Sequence, residues 1–429
     1  MRIALRSPRL RRIIAAYAVN RLGTWFGVVA LSVAVFDHTH SALAVAALLF
    51  AGQALPALVV PAIVARVESR SGRGELSRLY LFEAAVTTAL AILLWHFWLP
   101  AVLLLVALDG TAALAASALL RTEVAKAARE DAQGSSVHKA ERAANAALNA
   151  AFSTTFVIGP ALGGVVVAAA GASAALFVDV GSFLLGAALL ANLRSHVEDA
   201  AGDSVRARLR AAWRHINEAP ALRRVLAAEF AALVFIESGG PIEVTFVKAT
   251  LHAGDRGLGL LLTAWGAGAV VGSVIFARLL RTHLTIVLAA GTLAIAAAYF
   301  GLAAAPSLSL ACAAGLLGGV GNGLQWPSLV SVVQLLTPAQ LQGRMMGAIE
   351  SLGALCLAIG LPLGGVLVAL SSPRTAFAIV GAGAALAAIG FVRLPLYDRS
   401  AARRGRQPER AAARGGEDPA PLAGTARER

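Results

Sequence analysis

Long apolar runs follow one another along almost the whole chain, separated by short polar segments. A helix needs about 20 apolar residues to cross a hydrocarbon core about 30 Å thick, so each run predicts a transmembrane helix. Six runs precede one long polar connector and six follow it. Numbered as spans one to twelve, they cover residues 13–36, 42–65, 79–96, 99–120, 144–170, 172–193, 222–247, 257–280, 284–304, 307–336, 345–370 and 375–396.

The pattern predicts an all-α membrane protein of twelve transmembrane helices in two pseudo-symmetric six-helix bundles. The first bundle takes residues 1–193, a cytoplasmic linker takes 194–221, and the second bundle takes 222–396. The tail, 397–429, is rich in Arg, Ala, Gly and Pro and has no apolar periodicity. We expect a disordered basic cytoplasmic segment there.

The distribution of cations predicts the topology, because Lys and Arg collect in cytoplasmic loops. With the amino terminus inside, all but four of the 37 Lys and Arg fall on the inner side. The exceptions are Arg21 within span one and Lys248, Arg256 and Arg374 outside. A missed span would invert every later loop, so we expect an even number of spans in the cell membrane with both termini cytoplasmic.

Composition narrows the class of protein. Hydrophobic residues make up 58% of the chain and charged residues 14%, with a mean hydropathy of +0.72. The net charge of +13 does not indicate a nucleic-acid partner, because the cations are dispersed between apolar runs rather than gathered on one face. Asp37, His38 and His40 lack an obvious fourth ligand, so we expect a solvated loop and no metal. No phosphate-binding P-loop motif is present, which argues against ATP-driven pumping.

Ionisable residues inside a membrane are costly and mark functional sites. Asp109 in span four and Glu237 in span seven lie nearest mid-helix, and Arg21 lies about a third of the way into span one. Either carboxyl group could take up and release a proton as a cavity alternates, or could be a fixed strut. An ion pair of Arg21 with Asp109 or Glu237 is the simplest arrangement. By position, Glu83, Asp179, Glu229, Glu243 and Glu350 lie at other depths or nearer a helix end, and we interpret Glu83, Asp179 and Glu350 as struts or helix-end groups.

Other polar and aromatic residues within the spans are candidate ligand contacts. Asn20, Asn322, Gln325 and Trp326 offer amide groups and an aromatic face to a small molecule. Interhelical hydrogen bonds are the alternative for the amides.

Small residues four apart let membrane helices approach closely. Such ridges occur in spans five, eight, ten and eleven, and their presence in both halves favours a rocking interface over static seams. The ridges are Gly159 and Gly163; Gly268 and Gly272; Gly315, Gly319 and Gly323; and Gly360 and Gly364. In span seven, the sequence Gly239-Gly240-Pro241 predicts a local break of the helix.

Several motifs resemble a known family. Pro160-Ala161-Leu162-Gly163-Gly164 in span five is echoed by Leu361-Pro362-Leu363-Gly364-Gly365 in span eleven, which indicates an internal duplication. With the Gln334–Pro338 and Gly343–Gly347 segments before span eleven, these motifs resemble the major facilitator superfamily from about Arg11 to Leu396. Within it, they are similar to bacterial exporters of the enterobactin-exporter and macrolide-efflux type.

The resemblance implies a central cavity lined by spans one, four, seven and ten, where Arg21, Asp109, Glu237, Asn322 and Trp326 would meet. It also implies that span five faces span eight and span two faces span eleven, with Gly159, Pro160, Gly163, Gly164, Gly268, Gly272, Gly360 and Gly364 where the halves rock. Arg66 and Arg344 match basic loop motifs. The family usually has an Asp directly before the Arg that corresponds to Arg66, and this chain has Ala65 there. The family also has a Gly four residues before the pair that corresponds to Gly159-Pro160, and this chain has Thr155 there.

We therefore expect a secondary transporter that uses the proton motive force and no cofactor to export small amphipathic organic molecules by alternating access. A dedicated exporter of a siderophore or other secondary metabolite is the alternative within transport. A transporter-like sensor that binds without moving its ligand is the alternative outside it. We expect a monomer in the lipid bilayer, and we do not expect an enzyme, since the intramembrane His, Ser and Asp show no catalytic spacing.

Overall fold

The fold was determined as a computed structural model. The structure describes residues 7–59, 75–130, 137–191, 205–279, 282–338 and 341–392. Within these ranges every regular element is helical. Three predicted segments lie outside the described residues: the tail, the first part of the linker, 194–204, and the loop that holds Ala65 and Arg66.

The first six spans begin or end within a few residues of the predicted positions, except where amphipathic extensions continue them. Span four extends ten residues past its predicted end, and span five begins seven residues early. The observed bounds are Pro8–Thr39, Ala42–Val59, Glu75–His96, Leu99–Glu130, Val137–Ala170 and Ala172–Leu190.

The second six spans follow after a helix in the linker. Eleven helices of the described chain are long and apolar enough to cross a membrane. Span ten is equally long, with 29 residues, but its glycines and amides lower its hydropathy. The observed bounds are Pro220–Thr250, Gly254–Arg278, Leu284–Ala304, Leu308–Leu336, Gln342–Leu370 and Pro373–Val392.

Part of the polar connector is a helix that the sequence interpretation missed. This linker helix, Val205–Glu218, is strongly amphipathic, and one residue separates it from span seven. The nitrogen Nε2 of His215 lies 3.3 Å from the carbonyl oxygen of Leu336, at the end of span ten. Ile216 packs on the second bundle's core. The linker helix therefore lies against the second bundle, on what we name the linker side.

The two halves meet on the opposite side. Span five packs along span eight, and span two packs along span eleven, as the family resemblance implies. Spans five and eight touch through residues 156–164 and 255–266, the parts farther from the linker side. One apolar core also continues between the halves there, from Val35 and Phe36 to Val247 and Leu258. The space between the halves is thus closed on the side opposite the linker.

Span seven is interrupted where the sequence predicts a break. Its first α-helical segment ends at Glu237, and a second segment begins at Gly239. The hydroxyl group of Tyr299 in span nine donates a hydrogen bond of 2.8 Å to the carbonyl oxygen of Ile236. A side chain from a neighbouring helix thus satisfies one of the carbonyls next to the break, which a membrane interior requires.

The predicted glycine ridges pack mainly within a half, in contrast to the expectation of a rocking interface. Gly159 and Gly163 face Trp25 and Val29 of span one. The span-eight ridge faces the span-ten ridge, and the span-eleven ridge faces the break in span seven. The ridge residues in these two seams are Gly268, Gly272, Gly319, Gly323, Gly360 and Gly364.

Gly164 and Pro160, which the resemblance placed at the interface, do contact the other half, together with two glycines that were not predicted there, Gly259 and Gly365. The Cα atoms of Gly164 in span five and Gly259 in span eight lie so close that a Cβ at either would come within 3.1 Å of the other Cα. A Cβ at Gly259 would also overlap the carbonyl oxygen of Pro160. On the other flank, Gly365 faces Ala42 and Ala46 of span two.

Candidate functional site

A cavity of about 440 Å³ lies within the first half. Spans one, two, three, four and six form its walls, and Leu357 of span eleven reaches it from the second half. Leu31, Leu48 and Val106 supply apolar surface. A mostly apolar pocket with a few convergent polar groups is the usual form of a small-molecule site. The polar side chains of its lining are Arg21, Thr24, Ser32, Gln53, Thr87, Asp109, Ser117 and Asp179.

Span two reaches this cavity through an irregular turn. Phe50–Ala54 forms a π-helical turn, and Gly52 and Gln53 of that turn line the cavity. Gly110 of span four packs on the turn, and a Cβ there would overlap the carbonyl oxygen of Gly52. Turns of this kind are frequent at functional sites. The apolar pattern of span two gave no sign of it.

Asp109 faces the cavity from span four, as one of the two carboxyl groups predicted to carry a proton. Its Oδ1 accepts a hydrogen bond of 3.4 Å from the hydroxyl group of Thr87 in span three. Among the described residues, no ion pair joins it to a cation. Asp109 is therefore held by a neutral donor rather than neutralised by Arg21.

Asp179 of span six lines the same cavity, although by position it was interpreted as a strut or helix-end group. The side chain is buried, and its Oδ1 accepts a hydrogen bond of 3.2 Å from Ser182. Gly23 and Gly27 of span one make room for it, because a Cβ at Gly27 would lie 2.8 Å from the Oδ2 atom. The four-residue spacing of Gly23 and Gly27 in span one was the sequence signal that another helix, here the one that carries Asp179, packs closely at this place.

Glu83 of span three is buried, with 1% of the residue exposed. Neither carboxyl oxygen has a hydrogen-bond partner in the described part of the chain. A strut would have a partner to hold, so the geometry does not fit the interpretation of Glu83 as a strut.

Arg21 lines the cavity but does not form the predicted ion pair. Its guanidinium group lies over the ring of Phe152 in span five, 5.2 Å from the ring centroid. The Nε atom is buried without a hydrogen-bond partner, as is the amide nitrogen of the adjacent Asn20. A cation above an aromatic face is stabilised without a carboxylate, which leaves the carboxyl groups of the cavity unpaired.

The second half places its predicted site residues apart from this cavity. Gln325 is buried, and its amide donates a hydrogen bond of 3.2 Å to Oε1 of Glu229. Trp326 is 43% exposed on the next position of span ten, and Asn322 is half-buried one turn earlier. Glu237 ends the first segment of span seven beside span eleven. The structure thus joins Gln325 to a carboxyl group, Glu229, that was not among the predicted sites.

An ion-pair cluster joins the halves on the side opposite the linker. Lys248 at the end of span seven lies 2.8 Å from Oδ1 of Asp37 in span one and 2.5 Å from Oδ1 of Asp255 in span eight. Asp37 and His38 are exposed, as predicted, but they lie in the last turn of span one rather than in a loop, and the Asp37 carboxylate contacts the other half. His38 stacks on Phe97, with ring centroids 4.3 Å apart. Among the described residues, no group of His, Cys, Asp or Glu could hold a metal ion.

Comparison with known proteins identifies similar chains over nearly the full length. The family described as transmembrane secretion effector matches residues 3–411. An uncharacterized MFS-type transporter of Bacillus subtilis, YfiS, is 24% identical over 386 residues, which cover 87% of this chain and 89% of that protein.

Solved transporter structures share the fold. The nucleoside transporter NupG superimposes with a TM-score of 0.69 at 12% identity, covering 90% of this chain and 98% of that chain. A POT family transporter in complex with 5-aminolevulinic acid gives 0.67 at 10% identity, with 89% and 95% coverage. A bacterial homologue of the human lysosomal transporter Spinster, solved in an inward-facing conformation, gives 0.60 at 12% identity, with 90% and 95% coverage.

Proposed function

The chain belongs to the transmembrane secretion effector family of the major facilitator superfamily, and on that basis we propose that it exports small amphipathic organic molecules in exchange for protons. It is a multi-pass membrane transporter, and the comparisons place it among transporters rather than enzymes. Export is favoured by the family description and by the motifs that resemble enterobactin and macrolide exporters.

The cavity of the first half carries the proposal. Apolar walls from several spans enclose two carboxyl groups, Asp109 and Asp179, that lack a cationic partner in the described chain. An amphipathic molecule needs both surfaces, the apolar one for its body and the polar one for its head group. The cavity volume of about 440 Å³ suits a drug-sized organic molecule.

Proton coupling follows from the cost of charge in this environment. A carboxylate inside a membrane domain is expensive unless it is paired, so its protonation responds to the opening and closing of the surrounding cavity. Asp109 is our first candidate for the proton carrier, because it faces the cavity. Glu237 is the second, at the interrupted helix of span seven. No cofactor is needed, since the proton gradient supplies the energy.

Alternating access supplies the transport cycle. The halves are closed on the side opposite the linker, and the distribution of cations indicates that this side is the exterior. The described conformation then faces the cytoplasm. Both termini lie on the cytoplasmic side of the cytoplasmic membrane. A monomer suffices, because both halves of the cycle lie in one chain.

Proteoliposomes test the proposal. The purified transporter is reconstituted, a pH gradient is imposed, and accumulation of a panel of lipophilic fluorescent compounds is followed. Asp109→Asn is expected to abolish gradient-driven accumulation while leaving exchange of labelled for unlabelled compound, which needs no net proton movement. Glu350→Gln is the matched control, because Glu350 is an exposed carboxyl group on span eleven.

The other outcomes decide between the alternatives. Normal gradient-driven transport by both Asp109→Asn and Glu237→Gln would show that neither group carries the proton. Accumulation of only one siderophore-like compound would favour a dedicated exporter. A compound that binds but never accumulates would favour the sensor.

A further inference from the structure

The linker helix presents a surface that the transport cycle does not use. Its fourteen residues include four arginines and one acidic residue. His215 and Ile216 dock it on the second half. At 100° per residue, Arg210, Trp213 and Arg214 point away from that docked face. All three are exposed, Trp213 by 66%.

Within the described ranges, neighbouring groups do not neutralise this surface. Arg214 lies 3.9 Å from Glu218 one turn later, but both side chains are more than half exposed, at 78% and 67%. Exposed pairs at this spacing contribute little. Arg223 and Arg224, in the first turn of span seven, are exposed as well. The cationic character therefore continues from the linker helix into the membrane helix.

The position of the linker helix brings this surface to the membrane boundary. Only Ala219 separates Glu218 from Pro220, where span seven begins. A chain of one residue spans at most about 3.6 Å, so the end of the linker helix stays at the level at which span seven begins, and Trp213 lies only about 8 Å along the helix from that end. An exposed tryptophan is typical of that interfacial level, where its ring contacts lipid and its N–H group contacts water.

We propose that the Arg210, Trp213 and Arg214 surface binds the anionic phospholipids of the membrane that the spans cross. Guanidinium groups pair with phosphate through two parallel hydrogen bonds, and anionic headgroups attract basic segments at the surface. The indole of Trp213 anchors among the lipids beside them. Because the linker helix is docked on the second half, bound lipid holds that half at the bilayer surface.

Fluorescence quenching tests the lipid contact without any transport measurement. The full-length protein is placed in nanodiscs of phosphatidylcholine that contain increasing fractions of brominated phosphatidylglycerol or brominated phosphatidylcholine. The emission of Trp213 is obtained by subtracting that of Trp213→Phe from that of the wild type. We expect half-quenching at a several-fold lower fraction of the anionic lipid than of the neutral one.

A charge-matched pair of variants separates the surface from general electrostatics. Arg210→Gln with Arg214→Gln is expected to raise the fraction of anionic lipid at half-quenching several-fold, to that of the neutral lipid, since each arginine near a charged membrane contributes up to about fivefold. Arg121→Gln with Arg278→Gln removes two exposed arginines elsewhere and is expected to leave the titration unchanged.

Two results would overturn the proposal. Trp213 emission that responds to aqueous iodide but not to brominated lipid would place the surface in water. Equal quenching by both lipids, in the wild type and in the double variant, would show a contact without preference for anionic lipid. Either result leaves proton-driven export untouched, because the readout depends on the linker helix alone.

Discussion

Replacing Asp37 by asparagine is expected to release the contact that joins the halves opposite the linker. Lys248 keeps its second partner, Asp255, so the variant leaves no uncompensated buried charge. The Lys248 side chain is 13% exposed and that of Asp37 is 45% exposed. An ion pair this open to solvent is worth at most about 1 kcal/mol. The population open on that side should therefore rise by up to about fivefold.

Distance measurements between spin labels report this population. Labels at Trp98, after span three, and Leu370, at the end of span eleven, stand on different halves of the same side, and both positions are exposed. Cys312 and Cys356 are first replaced by alanine. The Asp37→Asn variant should show a larger share of long distances. In the wild type, high salt should also increase the share of long distances, but by less, because ions screen the ion pair.

A second ion pair provides the control. Glu218→Gln breaks the pair with Arg214 on the linker side and should leave the distances between the labels unchanged. If Asp37→Asn gives the wild-type distribution at low salt, the ion pair does not hold the halves together. The apolar contacts and the glycine contacts between spans five and eight would then account for closure.

Three further substitutions test the packing and the cavity. Tyr299→Phe removes the hydroxyl donor at the break of span seven and should cost about 1 kcal/mol or more, seen as a lower thermal midpoint in detergent; an unchanged midpoint would contradict this role. Gly259→Ala places a methyl group against the backbone of span five and should increase the long distances between the same labels, whereas Gly347→Ala, with no atom within 4 Å, should not. Gly27→Ala displaces the Asp179 carboxyl group and should reduce transport several-fold in protein that still elutes as a single species; full activity would show that this carboxyl position is unimportant.

The spans were predictable because hydrocarbon thickness sets their length. Span nine, Leu284–Ala304, has the predicted bounds. Errors arose where helices extend past the apolar run, as in span four, and where a helix is amphipathic, as in the linker. A hydropathy pattern reports the part of a helix in lipid, and it does not report where the helix continues into the polar region.

The candidate site was predicted less well, because the carboxyl groups were ranked by their depth along a span and not by the face of the helix on which they lie. In span three, Tyr80, Glu83, Ala84 and Thr87 recur at the spacing of one helix face, and all four are buried. The same spacing in span seven includes Glu229. A carboxyl group on the inward face of a helix is enclosed whatever its depth. The hydrogen bond of Gln325 to Glu229 depends on the approach of spans seven and ten, which sequence spacing does not reveal.

The glycine contacts divide into two kinds that differ in extent. Within the second half, a Cβ at Gly268 or Gly323 would overlap backbone atoms of the facing helix, so these helices touch along their main chains. Such close seams resist sliding, because every displacement meets backbone. Between the halves, the contact of Gly259 with span five also reaches backbone, but it lies only on the side opposite the linker, where the Asp37 side chain of the ion pair with Lys248 is 45% exposed. The less extensive surface therefore lies between the bundles, which is where two rigid halves would have to separate for the cavity to open on the other side.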